Sequence, residues 1–134
     1  MILTPEEIIK IRAAMEPERF IRLIKDLGFV RIGAGAFRDV YRQPKGKIVI
    51  KFGDSDENRD EHVNSFKFPS KYVATVLASS DDVLIQKYVK GTMCGRKCCE
   101  PPKCLSVLDD WHQYNHVHVG KNKRPVVFDL GGEI

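Results

Sequence analysis

The sequence predicts an α+β fold, in which two short helices precede a five-stranded antiparallel sheet and a further helix follows the third strand. Two observations predict it. Residues 1–28 carry helix start and stop signals with apolar residues at helical spacing. From residue 29 onward, short apolar runs alternate with turn-forming Gly, Pro, Asn, Asp and Ser, which is typical of strands joined by turns. The 134 residues are 43% hydrophobic, which favours one globular domain.

The two N-terminal helices are predicted from their ends. Thr4 is expected to cap the first helix, with Pro5 as its first residue and Glu7 completing a capping box. Residues 17–26 form the second helix, and Gly28 is its expected stop. The apolar residues expected to face the core are Ile8, Ile11, Met15, Phe20, Ile24 and Leu27.

The strands follow from short apolar runs bounded by turn residues. A polar loop at 54–58 starts a helix that is expected to run through Phe66 and to end before Pro69. A separate hairpin is expected to pair 116–119 with 126–129. The five predicted strands of the sheet cover residues 29–32, 40–42, 48–52, 72–77 and 83–88.

Four segments contain residue types that are typical of phosphoryl transfer. They are GAGAFRDVY at 33–41, IVIK at 48–51, DWHQYN at 110–115 and PVVFDLG at 125–131. In this order they resemble the glycine loop, phosphate-pairing lysine, catalytic loop and metal-binding Asp-x-Gly of the protein-kinase-like superfamily. The Asp-x-His-x-x-Asn spacing at 110–115 is most similar to the aminoglycoside-kinase-like branch. The strand order is also that of a kinase-like small lobe.

The resemblance implies an ATP site. Glycines without a Cβ let backbone N–H groups approach phosphate oxygens, and Lys51 would bridge the α- and β-phosphates. Glu61 is the expected carboxylate partner of Lys51, with Glu57 as the alternative. Arg38 stands where the family has its third glycine. The predicted nucleotide-binding residues are Gly33, Gly35, Phe37, Val40, Lys51, Gln86 and Tyr88.

The resemblance also implies a catalytic set. Asp110 would accept or orient the proton of the attacking hydroxyl as a general base. Asn115 and Asp129 would hold Mg²⁺, a hard cation that takes oxygen ligands. Lys51 and Glu61 complete the predicted catalytic residues.

Four cysteines form the other dense feature, at Cys94, Cys98, Cys99 and Cys104. Four thiolates close to several histidines could bind structural Zn²⁺. Free thiols and a disulfide are the alternatives, because the segment has no Cys-x-x-Cys pair and thiols stay reduced in the cytosol. His116 and His118 alternate with valines, so we expect both on one outward-facing side of the hairpin.

The expected organisation is a single kinase-like domain with N-terminal helices at 1–28 and a small lobe at 29–91. Residues 92–134 would form a Cys-rich segment and a minimal catalytic hairpin, a much reduced large lobe without peptide-binding helices. Three functions remain open: a minimal ATP- and Mg²⁺-dependent phosphotransferase, a silent kinase-like module that regulates a partner protein, and a small zinc-binding interaction domain.

Charge and hydropathy limit the partners. The 22 Lys and Arg residues against 18 Asp and Glu give a net charge of +4 without a basic stripe, so nucleic acid is not indicated. The start of the chain does not resemble a signal peptide, and no apolar stretch approaches a membrane span, so a cytoplasmic location is expected. The substrate or target would be an unidentified protein or small molecule, and self-association is plausible. Such a chain would suit a bacterial or phage genome.

Overall fold

The computed structural model describes residues 3–34, 37–92, 100–106 and 116–129, and three helices and seven strands lie within them. The helices are α1 (Pro5–Ala13), α2 (Pro17–Asp26) and α3 (Ser55–Asn64). Two short 3₁₀ turns cover Ser70–Tyr72 and Lys103–Leu105. The strands are β1 (Val30–Ala34), β2 (Arg38–Arg42), β3 (Ile48–Gly53), β4 (Val76–Ser79), β5 (Val83–Lys87), β6 (His116–Val119) and β7 (Arg124–Val127).

The sheet confirms the predicted fold class. Five strands pair antiparallel in the order β1-β2-β3-β5-β4, and α3 follows the third strand. β6 and β7 form a separate antiparallel hairpin. The predicted division into 1–28, 29–91 and 92–134 stays a prediction, and part of the predicted reduced large lobe falls on residues outside the described ranges.

Both N-terminal helices begin where their sequence signals predict, and α2 also ends there, whereas α1 ends at Ala13, before Met15, which was predicted to continue its apolar face. Thr4 accepts a hydrogen bond from the Glu7 backbone N–H, and the Glu7 side chain accepts one from the Thr4 backbone, which completes the capping box. α2 starts at Pro17 and is followed by Gly28, whose φ of 93° is accessible to glycine at little cost. Both ends are therefore fixed by local chemistry.

The main core lies between these helices and one face of the sheet. Phe20 and Ile24 of α2 are fully buried and pack with Tyr41, Ile50 and Ile85 from the three central strands. Because side chains alternate across a strand, the residues next to these in sequence point to the opposite face. That opposite face carries Val40, Lys51 and Gln86, and α3 packs against β4 and β5.

The strand predicted at 72–77 is shorter than expected. β4 begins only at Val76 and ends at Ser79, because Val73 and Ala74 pair with the hairpin. Val73 forms a parallel bridge with Val127, and the Ala74 N–H donates to the Val127 carbonyl at 2.8 Å. Val73, Val127 and Leu105 form a second buried cluster. This contact fastens the hairpin to the five-stranded sheet.

The hairpin also contacts the segment that leaves β5. Thr92 and His118 form an antiparallel bridge with two backbone hydrogen bonds of 2.9 Å. The expectation that His116 faces outward is wrong: its side chain is fully buried, while its ring lies 5.3 Å from that of His118 on the same side of the strand. Val117, on the other side, is buried as well, so the hairpin is packed on both faces.

Candidate functional site

An ion pair lies at the centre of the sheet face opposite the main core. Lys51 of β3 is directly opposite Val40 of β2, and only 4% of its surface is exposed. Its ammonium donates to both carboxylate oxygens of Glu61, at 2.9 and 3.0 Å, and to the Phe128 carbonyl. The strand, α3 and the segment after β7 therefore meet at one lysine.

Glu61 is the carboxylate that joins α3 to the sheet. It is fully buried, and Gln86 of β5 donates to its second oxygen at 3.3 Å. A buried carboxylate is costly unless it is paired and hydrogen-bonded, and Glu61 has both kinds of partner. Of the two glutamates considered as partners for Lys51, Glu61 makes this contact.

Arg38 brings a second cation to the same carboxylate. Its guanidinium lies 2.8 Å from Glu61 Oε1, donates to Asn58 Oδ1 at 3.2 Å and lies 3.3 Å from Asp129 Oδ1. The Arg38 side chain is 7% exposed and that of Asp129 is 50% exposed. Arg38 thus connects β2, α3 and the end of the hairpin.

A cavity of about 720 Å³ opens beside these charges. Its size and its mixture of apolar walls with a few polar groups are typical of small-molecule sites. Tyr88 lies at one side, and the Arg42 guanidinium carbon lies 3.4 Å from the centroid of its ring. The lining residues are Ile32, Gly33, Ala34, Phe37, Arg38, Val40, Val49, Lys51, Glu57, Gln86, Lys87, Tyr88, Val89, Gly91, Val117, Phe128 and Asp129.

Glu57 adds a carboxyl group with an altered affinity for protons. Burial raises its pKa above the ordinary value of 4.5; the nearby Arg38 lowers it, and the carboxylate of Asp129 raises it further. The carboxyl group of Glu57 is therefore easier to protonate than that of an ordinary glutamate. As the pH falls, Glu57 therefore loses its negative charge earlier than an ordinary glutamate does, and it then repels a bound anion less.

The cavity brings together most of the predicted nucleotide-binding residues. Gly35 lies outside the described residues, as do the predicted base Asp110 and the predicted metal ligand Asn115. Their roles, like those of the residues on the cavity wall, stay predictions. The predicted residues that line the cavity are Gly33, Phe37, Val40, Lys51, Gln86, Tyr88 and Asp129.

Three of the four cysteines in the zinc prediction, Cys94, Cys98 and Cys99, lie outside the described residues. Cys104 is exposed and is a free thiol. No group of three or more His, Cys, Asp or Glu side chains that could hold a metal occurs within the described parts of the chain. Across the same ranges, none of the helices combines the length and the apolar character that a membrane crossing needs.

No sequence motif predicts that Arg38 contacts Glu61 and Asp129. A signal exists in the strand alternation: Arg38 lies two residues before Val40, so both side chains leave β2 on the cavity face. Asn58, which is fully buried and donates to the Asp81 carbonyl at 3.2 Å, supports it from α3. Sequence spacing alone does not bring Arg38 to Asp129, because that contact depends on the hairpin.

Comparisons with known proteins give a limited likeness. Neither protein-family models nor curated proteins match this chain. The fold resembles part of two solved complexes of the aminoglycoside phosphotransferase APH(2″)-IIa, a protein with a kinase-like fold. The complex with streptomycin and ATP has a TM-score of 0.41 and 20% identity over 60% of this chain. The gentamicin complex has a TM-score of 0.42 and 19% identity over 63% of it.

The chain spans 30% of the length of the phosphotransferase chain in each of these two complexes. Since both TM-scores are below 0.5, the function has to be inferred from the residues of this chain.

Proposed function

We propose that this chain binds a nucleoside triphosphate, ATP in the first instance, in the 720 Å³ cavity and acts as a minimal phosphotransferase of kinase-like type. The observation that supports the proposal most is the Lys51–Glu61 pair at the cavity wall. Replacing a buried ion pair by apolar residues is often neutral or stabilising. A buried pair whose lysine faces a ligand-sized cavity is therefore better explained by binding than by stability.

The lining of the cavity suits the two parts of a nucleotide. Val40 and Val49 offer apolar surface against which a purine base can stack, next to the ring of Tyr88. Lys51 and Arg38 lie where phosphate oxygens would be attracted, and the backbone at Gly33 is open to close approach, since no heavy atom lies within 4 Å of the position of a Cβ there.

The described residues do not form a dedicated Mg²⁺ site. Glu57 and Asp129 supply carboxylates to the cavity, but the carboxylate of Asp129 is shared with a guanidinium. Mg²⁺ demands near-octahedral oxygen ligands, and a neighbouring cation opposes its binding. The sequence predicts that Asn115 and Asp129 hold Mg²⁺, and this stays a prediction. Measurements of ATP binding with and without Mg²⁺, described below, test whether the site uses the metal.

Transfer would require a base near the terminal phosphate, and Asp110 is proposed for that role. A positioned carboxylate that takes the hydroxyl proton typically contributes about 10²–10⁴-fold to the rate. ATP binding should be measured by calorimetry, and transfer by the movement of labelled phosphate onto the chain or a partner. Asp110→Asn should bind ATP like the wild type and transfer phosphate about 10²–10⁴-fold more slowly.

Two results would contradict parts of this proposal. The absence of binding heat with millimolar ATP would remove the nucleotide site. Binding without transfer, together with an unchanged cellular phenotype in Asp110→Asn, would support the second candidate, a silent kinase-like module that regulates a partner protein. The observation that favours this candidate is the ion pair between Arg38 and Asp129. Asp129 is the predicted metal ligand, and its carboxylate already lies beside a guanidinium.

A further inference from the structure

Arg38 places a permanent positive charge inside the cavity. Its guanidinium lines the cavity wall, yet the residue as a whole is only 9% exposed. Arginine stays protonated at any physiological pH, and its planar fork matches the geometry of phosphate and carboxylate groups. Any ligand that enters beside Asp129 therefore meets a fixed cation.

The position of this cation is held from three directions. Glu61 and Asn58 fix one guanidinium nitrogen from α3, at 2.8 and 3.2 Å. The other nitrogen lies 3.3 Å from Asp129, whose side chain is half exposed. Because the α3 contacts are buried and the Asp129 contact is not, a ligand can replace Asp129 on the guanidinium without disturbing the rest.

The charges around the cavity argue against a second cation at Asp129. Arg38 lies beside both Glu61 and Asp129, so the carboxylate of Asp129 already has a cation next to it, while Glu57 and Lys87 add one charge of each sign to the cavity wall. A divalent ion there would have to displace the guanidinium or lie next to it, and like charges repel strongly in a partly buried site. A phosphate oxygen, by contrast, would be attracted to the guanidinium.

We propose that Arg38 takes the place of a divalent cation beside Asp129, so that the cavity binds nucleotide phosphates without Mg²⁺. This inference rests on the proposed nucleotide binding and deepens it. Lys51 and Arg38 would each hold a phosphate oxygen by charge-assisted hydrogen bonds, with the guanidinium able to make two in parallel. The ligand class is a nucleotide di- or triphosphate in its metal-free form.

The test compares ATP affinity by calorimetry in EDTA and in millimolar Mg²⁺. For the wild type ATP should bind in EDTA, and the apparent affinity should be lower in millimolar Mg²⁺, because Mg²⁺ complexes most of the ATP and leaves little of the metal-free form. Arg38→Met keeps most of the side-chain volume and removes the charge. Its affinity in EDTA should fall by about tenfold or more, the usual effect of losing a hydrogen bond to a charged group.

The matched control is Arg31→Met. Arg31 pairs with Asp39 at 3.0 Å on β1 and β2, and its side chain is 56% exposed. The Arg31→Met substitution removes the same charge from the same sheet and should leave the affinity for ATP in EDTA unchanged. A fall equal to that of Arg38→Met would overturn the inference, because net charge alone would then explain the effect.

Asp129→Asn decides the matter if Arg38→Met does not fold. In our proposal the carboxylate competes with phosphate for Arg38, so this variant should bind ATP in EDTA as tightly as the wild type or more tightly.

A second measurement follows Mn²⁺ by water proton relaxation. With ATP present, adding the wild-type protein should bind no Mn²⁺ beyond the amount that ATP binds alone. Binding of ATP only with Mg²⁺, and its loss in Asp129→Asn, would overturn the inference and leave the proposed function standing. No ATP binding in either buffer would remove the proposed function itself.

Discussion

Arg38 and Lys51 reach the same oxygen of one carboxylate from neighbouring strands. Arg38 Nη1 lies 2.8 Å and Lys51 Nζ 2.9 Å from Glu61 Oε1. Two buried cations on one oxygen would repel each other without the carboxylate between them. Glu61 is therefore the residue that allows both positive charges to stay at the cavity wall.

Replacing this carboxylate should weaken the fold. Glu61→Gln leaves two cations with less compensation, although Arg38 keeps its contact with Asp129 and Lys51 keeps the Phe128 carbonyl. We expect a loss of about 3 kcal/mol in the free energy of unfolding, at the lower end for breaking a buried pair. Urea unfolding measures this loss as a lower midpoint concentration of urea, provided that the dependence of the free energy on urea concentration is unchanged.

A surface pair provides the control for this change. Asp39→Asn breaks the Arg31–Asp39 pair, whose side chains are 56% and 42% exposed. Exposed pairs contribute little, so the change should be within about 0.5 kcal/mol of zero. Equal losses in the two variants would contradict the central role of Glu61.

Lys51 should determine the response of the protein to ATP. A ligand that binds only the folded state raises the melting temperature by mass action, and Lys51→Met should remove most of that increase. Lys121→Met removes the same charge from the exposed turn between β6 and β7 and should keep the full increase. An undiminished increase in Lys51→Met would place the nucleotide elsewhere.

Local chemistry explains how much of the fold the sequence predicts. Residues 17–26 are predicted as a helix and form α2 with the same bounds, because Pro17 starts it and Gly28 follows it. The third strand was predicted from its apolar run, and β3 extends it by one residue. Such elements depend on neighbours in the chain, which a single sequence shows.

Contacts between distant segments explain what the sequence does not predict. Val73 and Ala74 were expected in a strand of the sheet but pair with Val127. His116 was expected to face outward but is buried, because alternation gives the side of a strand and not what covers it. The role of Arg38 depends in the same way on the hairpin that delivers Asp129.

The Glu57 carboxyl group should make stability depend on pH. Burial raises its pKa in the folded state above 4.5, so the folded protein holds this proton more tightly than the unfolded chain. Stability from this group is present at low pH and is lost as the pH rises through the raised pKa. Glu57→Gln, which stays neutral, should match the wild type near pH 4 and exceed its stability at pH 7.

Urea unfolding of the wild type and of Glu57→Gln across this pH range tests whether the stability contributed by Glu57 falls as the pH rises. A direct check is the titration of the side-chain carbon of Glu57 by NMR, which should give a pKa above 4.5. A titration below that value, or a variant less stable than the wild type at pH 7, would contradict the environment described for Glu57.

Gly91 should be required for the contact between the hairpin and the segment after β5. A Cβ at Gly91 would lie 2.6 Å from the His118 carbonyl oxygen and 2.9 Å from Val117 Cγ2. That carbonyl accepts the Thr92 N–H at 2.9 Å, so it cannot retreat without stretching the hydrogen bond. Gly91→Ala should therefore cost about 1–3 kcal/mol, the usual cost of overpacking.

The control is Gly33→Ala, because a Cβ there would meet no heavy atom within 4 Å. Its free energy of unfolding should stay within about 0.5 kcal/mol of the wild type. Gly91 and Val117 both line the cavity, so a displaced hairpin should also weaken ATP binding. Urea midpoints of the two variants test the effect on stability, and the ATP affinity of Gly91→Ala compared with that of the wild type tests the effect on binding. If Gly91→Ala matched Gly33→Ala in stability, the close approach of this segment to β6 would be refuted, and with it the cavity wall at Val117.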